Sequence, residues 1–378
     1  METNYIDTFI MKTAAICNLN CTYCYYFNGV DTSYIGKQKI MDRSIIVQMV
    51  DKIISHVTEH NLKNIDITLH GGEPLLMKKD LFKFAMDEID RIDRVGTDVR
   101  RKIQTNGVLI DQDWLEMFSE YKVYLGISLD GPKEVNDQNR VDLSNKGTYD
   151  KTIKGLKSAL SHTSLHTSII SVINPEYSGS EMYYHLRDLG VTKMDFLLPE
   201  GNYENLPFGY QSAKTDTPFA DFLIDVFNAW IQEDNPDVTV RILDRMLRSI
   251  FGGDAKSDSF GNSPIRVAVI ETNGSIEPTD NFKMCEDGMT NMGLSICNNS
   301  FNDLLNHEFY QNILIENNVI PKDCEGCNLI NKCAGGRLST RYSKEFQFDK
   351  KTVHCSDTFK IFNYIEEYIK IHTQTKAI

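Results

Sequence analysis

Three of the nine cysteines, Cys17, Cys21 and Cys24, fall within eight residues of the run ICNLNCTYCYYF, Ile16 to Phe27. Three residues separate the first pair and two the second. Three thiols in one short loop do not pair off as disulfides. They suit a soft-metal site in which three sulfurs hold three corners of an inorganic cluster and the fourth corner has no ligand nearby. An open metal position is where chemistry usually happens. Zinc borrowing a ligand from elsewhere is the alternative, although zinc loops favour two Cys-x-x-Cys pairs and only Cys21 and Cys24 form one.

Five further groups of residues can carry chemistry. In His70-Gly71-Gly72-Glu73-Pro74 the glycines let a ligand approach the backbone, and Glu73 can accept from an ammonium. The same residues also read as a helix-initiating turn with proline at its first position. Cys324, Cys327, Cys333 and Cys355 supply four distal thiolates, for a cluster or for zinc. Ser128 and Asp130 end one apolar run, and Arg140 follows. Thr105-Asn106-Gly107 ends another and reads equally as a simple turn. Asp280 is either a general base or a polar turn residue.

The elements that must position these groups alternate. Strands are expected over Ile6–Ile16, Ile65–Leu69, Val99–Gln104, Val123–Ser128, His166–Ile173 and Lys193–Leu198, with helices between them. Asp42 is placed to cap a helix bearing Ile46, Met49, Val50, Ile53, Ile54 and Val57. Six strand-to-helix alternations in about 200 residues require parallel strands with right-handed crossovers, and a full eight-fold barrel needs ~250 residues. A partial six-unit α/β barrel is expected, with functional groups at the carboxyl ends of its strands. Every motif above up to Asp130 falls at such an end. A loop is expected over 200–217, then helices over 218–233 and 238–251, a β-hairpin over 265–282, a helix over 301–317 and a closing helix over 358–372. Three segments follow: 1–200 as the barrel, 201–264 as a helical bridge and 265–378 as the distal cysteine domain.

The net charge of −13, from 53 acids and 40 bases, argues against nucleic-acid binding. No window reaches the ~18 apolar residues of a membrane helix. The N-terminus has no secretory pattern, so a cytoplasmic location is expected. Cysteines in such a chain point to metal or redox chemistry rather than disulfides.

The C-x₃-C-x₂-C spacing with Tyr23 before its last cysteine, together with Gly-Gly-Glu at the following strand end, resembles the radical S-adenosylmethionine (SAM) superfamily. The resemblance implies a [4Fe–4S] cluster on Cys17, Cys21 and Cys24, whose open iron chelates the amino and carboxylate groups of SAM. It places Tyr23, His70, Gly71, Gly72, Glu73, Ser128, Asp130 and Arg140 around the cofactor, with Glu73 on the amino group and Ser128 and Arg140 on the ribose and carboxylate. The distal cysteines resemble the SPASM extension, which implies an auxiliary [4Fe–4S] cluster on Cys324, Cys327, Cys333 and Cys355. The full SPASM pattern has further cysteines. Here Arg337 stands at one of their places and Thr279 at another, so the first auxiliary cluster is expected to be missing, with Cys285 and Cys297 left as free buried thiols. In the sulfatase-maturating relatives an aspartate at the position of Asp280 serves as a general base.

Phe196-Leu-Leu-Pro199, the helix with Trp230 and Gly252-Gly253 look like the cyclophane-forming SPASM peptide maturases. That resemblance implies a radical enzyme that joins an aromatic ring to a nearby side-chain β-carbon in a ribosomally made precursor peptide. An electron donor such as flavodoxin or ferredoxin is then expected, and neither nucleic acid nor membrane. With sixteen residues before Cys17, leader recognition is expected in the barrel, in 199–253 or in another protein. Formylglycine formation of the anaerobic sulfatase-maturase kind is the alternative. A zinc-stabilised binding protein is the alternative outside enzymes.

Overall fold

Thr8–Ala14 carries Phe9, Met11 and Ala14 fully buried, and it forms the strand β1. The structure is a computed structural model that describes residues 4–211, 213, 215–261 and 263–374. Ser212 and Lys214, within the expected 200–217 loop, lie outside the described residues. The chain packs as two units. The first comprises Met1–Leu129, Asn136–Ile169 and Arg266–Asn312, and the second Asp130–Val135, Ile170–Ile265 and Ile313–Ile378. Arg266–Asn312 thus groups with the barrel strands and not with the distal cysteines.

In the first unit β1 pairs in parallel with β2 (Asn64–Gly71), β2 with β3 (Asp98–Thr105) and β3 with β4 (Tyr124–Ser128). The fifth strand, β5 (Thr167–Val172), belongs to the first unit over 167–169 and to the second over 170–172. The expected hairpin is present, and β8 (Val267–Ile270) lies parallel to β1 with Thr8 opposite Val267 and Met11 opposite Ile270. β9 (Ser275–Glu277) and β10 (Leu294–Ser295) follow antiparallel. The hairpin therefore extends the barrel sheet beyond β1.

The helix Arg43–Glu59 buries Ile46, Met49, Val50, Ile53 and Val57, the stripe expected from their spacing. Asp42 occupies its N-cap position, but its side chain makes no capping bond. The helix Gln112–Glu120 is capped through Asp111, which accepts from the Trp114 amide. A short helix, Lys133–Asn139, occupies part of the expected polar loop after β4. The helix expected over 301–317 is two, Phe301–Leu305 and Glu308–Asn318. Asn306 ends the first, and His307 Nδ1 accepts the Phe309 amide at the start of the second.

In the second unit β6 (Lys193–Leu197) pairs in parallel with β7 (Thr239–Val240), a two-residue strand inside the expected 238–251 helix, which starts instead at Arg241. The helix Pro218–Glu233 buries Phe219, Phe222, Leu223, Val226 and Phe227. Its first amides, of Phe219 and Ala220, both donate to Asp357 at 2.8 Å. Asp357 lies in the last helix, Cys355–Gln374, which opens three residues earlier than its apolar pattern indicates. Among the described residues no helix is long and apolar enough to cross a membrane.

His56, 3% exposed, ties the start of the barrel together by accepting the Ile6 amide on Nε2 at 3.0 Å. Burial, with the neighbouring His60 as a smaller cause, lowers its pKa to about 4 from an ordinary 6.5. The folded state therefore favours neutral imidazole and unfolding takes up a proton. The contribution is complete above pH ~6.5 and is lost as the pH falls towards 4, worth up to about 3 kcal/mol. Anaerobic melting curves should show the transition temperature falling across that window, and His56→Gln should flatten the fall.

Candidate functional site

The cysteine loop is held from two sides by backbone. Asn20 and Thr22 donate to the carbonyls of Val141 and Asn139 at 2.8 and 3.0 Å, and the Thr22 hydroxyl donates to Asn139 Oδ1 at 2.6 Å. On the other side the Gly72 and Glu73 amides donate to the carbonyls of Ala14 and Ile16 at 2.8 and 2.9 Å. This contact explains both glycines. A Cβ at Gly71 would stand 2.2 Å from the Ala14 carbonyl oxygen, and one at Gly72 would stand 2.2 Å from that of Ile16. Gly71 also has φ +129. The close approach is therefore the chain's own segment from the end of β1 to Ile16, where the sequence suggested a ligand.

Glu73 is fully buried. Its Oε1 accepts from the Leu75 amide at 2.9 Å and the Thr105 hydroxyl at 2.7 Å, and its Oε2 from the Asn106 amide at 2.8 Å. The bond to Leu75 caps the short 3₁₀ turn Pro74–Leu76, so the helix-initiating reading of this segment also holds. Burial raises the carboxyl pKa, and the three donors and the nearby Arg140 charge oppose that rise. A carboxylate has about four acceptor positions, so the fixed group retains capacity for one more donor, such as an ammonium. Thr105 and Asn106 are more than a turn, because they aim Glu73. Asn106 also donates through Nδ2 to Asn18 Oδ1 at 2.8 Å, inside the cysteine loop.

Arg140, 7% exposed, donates through Nη1 to the Tyr23 hydroxyl at 3.0 Å. Ser128 is joined by Gln104, whose Nε2 donates to its hydroxyl at 2.9 Å. Asp130 accepts the Val172 amide at 3.1 Å in the second unit. His70 begins a buried polar group. The Lys12 ammonium lies 3.3 Å from His70 Nδ1 and forms an ion pair with Asp280. Lys12 is 1% exposed and Asp280 5%. Burial alone would raise the Asp280 carboxyl, but the Lys12 and His70 charges hold it well below the usual range. Burial and the Lys12 charge lower His70 to about 4. Lys12 was not anticipated. A lysine in a strand core without an acid nearby in sequence was the available signal.

In the second unit Cys324, Cys327, Cys333 and Cys355 line one cavity with Leu329 and Ile330. Cys333 ends the helix Ile330–Cys333, and Ala334, Gly335 and Gly336 then turn the chain through φ +54, +84 and +81. Arg341, also unanticipated, is 1% exposed and donates to the main-chain carbonyls of Phe348, Lys350, Glu316 and Val319 at 2.9–3.4 Å. Arg337 pairs with Glu200 and donates to Asp258 and Ser259 at 3.0 and 2.7 Å. The Thr279 hydroxyl donates to Asn281.

Residues 11–189 match the model of the radical SAM superfamily. This region is a radical SAM domain. Over 365 residues the chain is 24% identical to the cysteine-type anaerobic sulfatase-maturating enzyme of Clostridium perfringens (strain 13 / Type A), spanning 95% of this chain and 96% of that enzyme. The structures of native anSMEcpe with bound AdoMet, alone or with the Kp18Cys peptide, share the fold. They are 21% identical, with a TM-score of 0.82 over 97% of this chain and 99% of theirs. SuiB of Streptococcus suis bound to its precursor peptide SuiA is 14% identical, with a TM-score of 0.64 over 93% of this chain and 76% of its own.

The cofactors of the radical SAM domain are a [4Fe–4S] cluster and SAM, accompanied in the sulfatase-maturase type by auxiliary clusters. The donor sets fit one cluster in each unit. All nine cysteines are free of disulfides; Cys285 is buried as expected, whereas Cys297 is exposed. Burial pushes Cys17 and Cys333 up to about 12, so these thiols stay protonated until metal binding draws off the protons. Among the described residues no three His, Cys, Asp or Glu side chains converge as a single metal ion requires. Arg337, at a place where the SPASM resemblance would put a cysteine, is a guanidinium paired with Glu200 and Asp258.

Glu73→Gln should keep the cluster and weaken SAM binding about tenfold to a hundredfold, as expected for a charge-assisted hydrogen bond of 1.5–3 kcal/mol. Equilibrium binding of SAM to the reconstituted variant measures it. Arg341→Met should lower the melting temperature sharply, because four carbonyls lose their donor at about 1–3 kcal/mol each where buried.

Proposed function

We propose that the chain oxidises a peptide side chain by two electrons, in the manner of the sulfatase-maturating enzymes with which it aligns along 95% of its length. The observation that carries this reading is the Lys12–Asp280–His70 group, which brings a buried carboxylate to the segment that ends in Glu73. When bound, the [4Fe–4S] cluster and SAM supply a radical able to take a hydrogen atom from an unactivated carbon. Cys17, Cys21 and Cys24 hold that cluster, Glu73 takes the amino group of SAM, and Arg140 its carboxylate. Ser128, set by Gln104, takes the ribose.

Removing one hydrogen atom, then one proton and one electron, completes the oxidation. Asp280 receives the proton. The Lys12 pair makes it a weak base, which suffices because a carbon radical losing an electron becomes a strong acid at the adjacent group. Cys324, Cys327, Cys333 and Cys355 hold an auxiliary cluster, a group that stores one electron at a time. A flavodoxin- or ferredoxin-like donor supplies the reducing electron.

Two products meet this balance. Formylglycine arises directly when the oxidised side chain is Ser, and when it is Cys through a thioaldehyde that water hydrolyses with release of hydrogen sulfide; relatives of both the cysteine and the serine type are matched. A cyclophane arises when the carbon radical closes on an aromatic ring of a precursor peptide. The alignment along 95% of the chain supports the first, and the residues at Thr279 and Arg337, where the SPASM resemblance would put cysteines, are what supports the second. Incubation with SAM, reductant and candidate peptides separates them. An aldehyde trapped by a hydrazine marks formylglycine. Loss of two hydrogens, no aldehyde and no fragmentation between the joined residues marks a crosslink. If reconstituted protein cleaves no SAM, both fail.

Iron analysis should find about eight atoms per chain with equal sulfide. Two zincs in a colourless protein would contradict the assignment. Asp280→Asn should cut product formation about a hundredfold or more while SAM cleavage persists. Cys17→Ala should abolish cleavage.

A further inference from the structure

Asn106 joins the two halves of the SAM site, and every polar group it owns is engaged. Its amide N–H holds Glu73 Oε2 at 2.8 Å. Its carbonyl accepts the Thr152 hydroxyl at 3.1 Å. Its side-chain Oδ1 accepts the Val108 amide at 3.0 Å, which fixes the orientation of the side-chain amide. Nδ2 therefore faces the cysteine loop, where it meets Asn18 Oδ1 at 2.8 Å and lies 3.9 Å from Cys17 Sγ. Asn106 is 6% exposed, so water does not compete for these bonds. A second donor reaches the same sulfur, the Leu19 amide at 3.3 Å.

Resting on the reading of Cys17 as a cluster ligand and of Glu73 as the ammonium acceptor, we propose that Asn106 is a positioning residue that sets the reduction potential of the cluster and links it to SAM occupancy. Reduction adds one negative charge to the cluster, spread over its thiolates. An N–H donor aimed at one of those sulfurs stabilises the reduced form more than the oxidised form, which raises the potential. The same residue grips Glu73 through its main chain. An ammonium arriving on Glu73 Oε2 shares that oxygen with the Asn106 amide, and the rigid side chain carries the adjustment to Cys17. No atom is transferred in this step.

The test is an electron paramagnetic resonance redox titration of anaerobically reconstituted protein, with and without SAM. Asn106→Ala removes the sulfur donor and keeps the backbone bond to Glu73. Its potential should fall by ~59 mV, a tenfold change in the one-electron equilibrium, and the shift on adding SAM should shrink. Asn106→Asp keeps an acceptor for Val108 and sets an anion towards the sulfur, so its potential should fall at least as far. An unchanged potential in either variant overturns the proposal. If neither variant holds iron while Thr152→Val does, Asn106 is structural only and the proposal also falls. A natural protein whose cluster signal does not respond to SAM sinks the functional reading instead.

Discussion

The buried carboxylate of Glu73 is the constraint on which the rest of the radical SAM domain depends. Removing such a group from water costs several kcal/mol unless donors replace the lost hydration. Here the three replacements come from its own turn and from the end of β3. The amide of Glu73 itself is bound to Ile16, next to Cys17. One residue thus fixes the separation between a strand end, a turn and the cysteine loop. Parallel strands are needed because only they bring successive carboxyl ends to one edge. The absence of side chains at residues 71 and 72 is needed because the carbonyls of Ala14 and Ile16 then lie too close for a Cβ.

The ion pair of Lys12 with Asp280 depends on the same sheet. Its partners are 268 residues apart, and they meet because β8 adds to the free edge of β1 in parallel. Buried pairs of this kind contribute little net stability, since desolvation of both charges offsets their attraction. Breaking one partner is far more costly than forming the pair is beneficial. The arrangement is therefore better explained by function. It keeps a carboxylate ionised in a place where burial alone would protonate it, and it orders His70 through the second proton donor of the ammonium.

What was legible in the sequence was local. Cysteine spacings, the Gly-Gly-Glu turn and the apolar alternation of six strands each fit in a window of a few residues, and the turn and the six strands correspond to elements of the structure. What was not legible depended on partners distant in the chain. Asn106 looked like a turn residue because its bonds to Asn18 and Cys17 span 88 and 89 residues. Lys12 read as an ordinary strand residue because Asp280 lies in another element. Arg341 gave no signal because its four acceptors are main-chain carbonyls, which every residue possesses. The glycines were recognised as a close approach, but the approaching group could not be named without the register of β1 and β2.

Arg337, where the SPASM resemblance would put a cysteine, shows what a guanidinium requires of the segments around it. A thiolate bound to iron contributes both a bond and a negative charge. A guanidinium reverses the charge, so the segments around it must supply anions instead. Glu200 and Asp258 do so, and Ser259 adds a neutral acceptor. Together they tie the segment after β6 and the 258–259 turn to the chain that follows Cys333. Such a group is planar, rigid and multiply bonded, which makes arginine a better replacement than lysine at a site that needs several directed donors. It cannot change oxidation state. The guanidinium therefore holds the cysteine-rich segment through directed bonds to anions, and the four thiols of Cys324, Cys327, Cys333 and Cys355 line one cavity beside it in that unit.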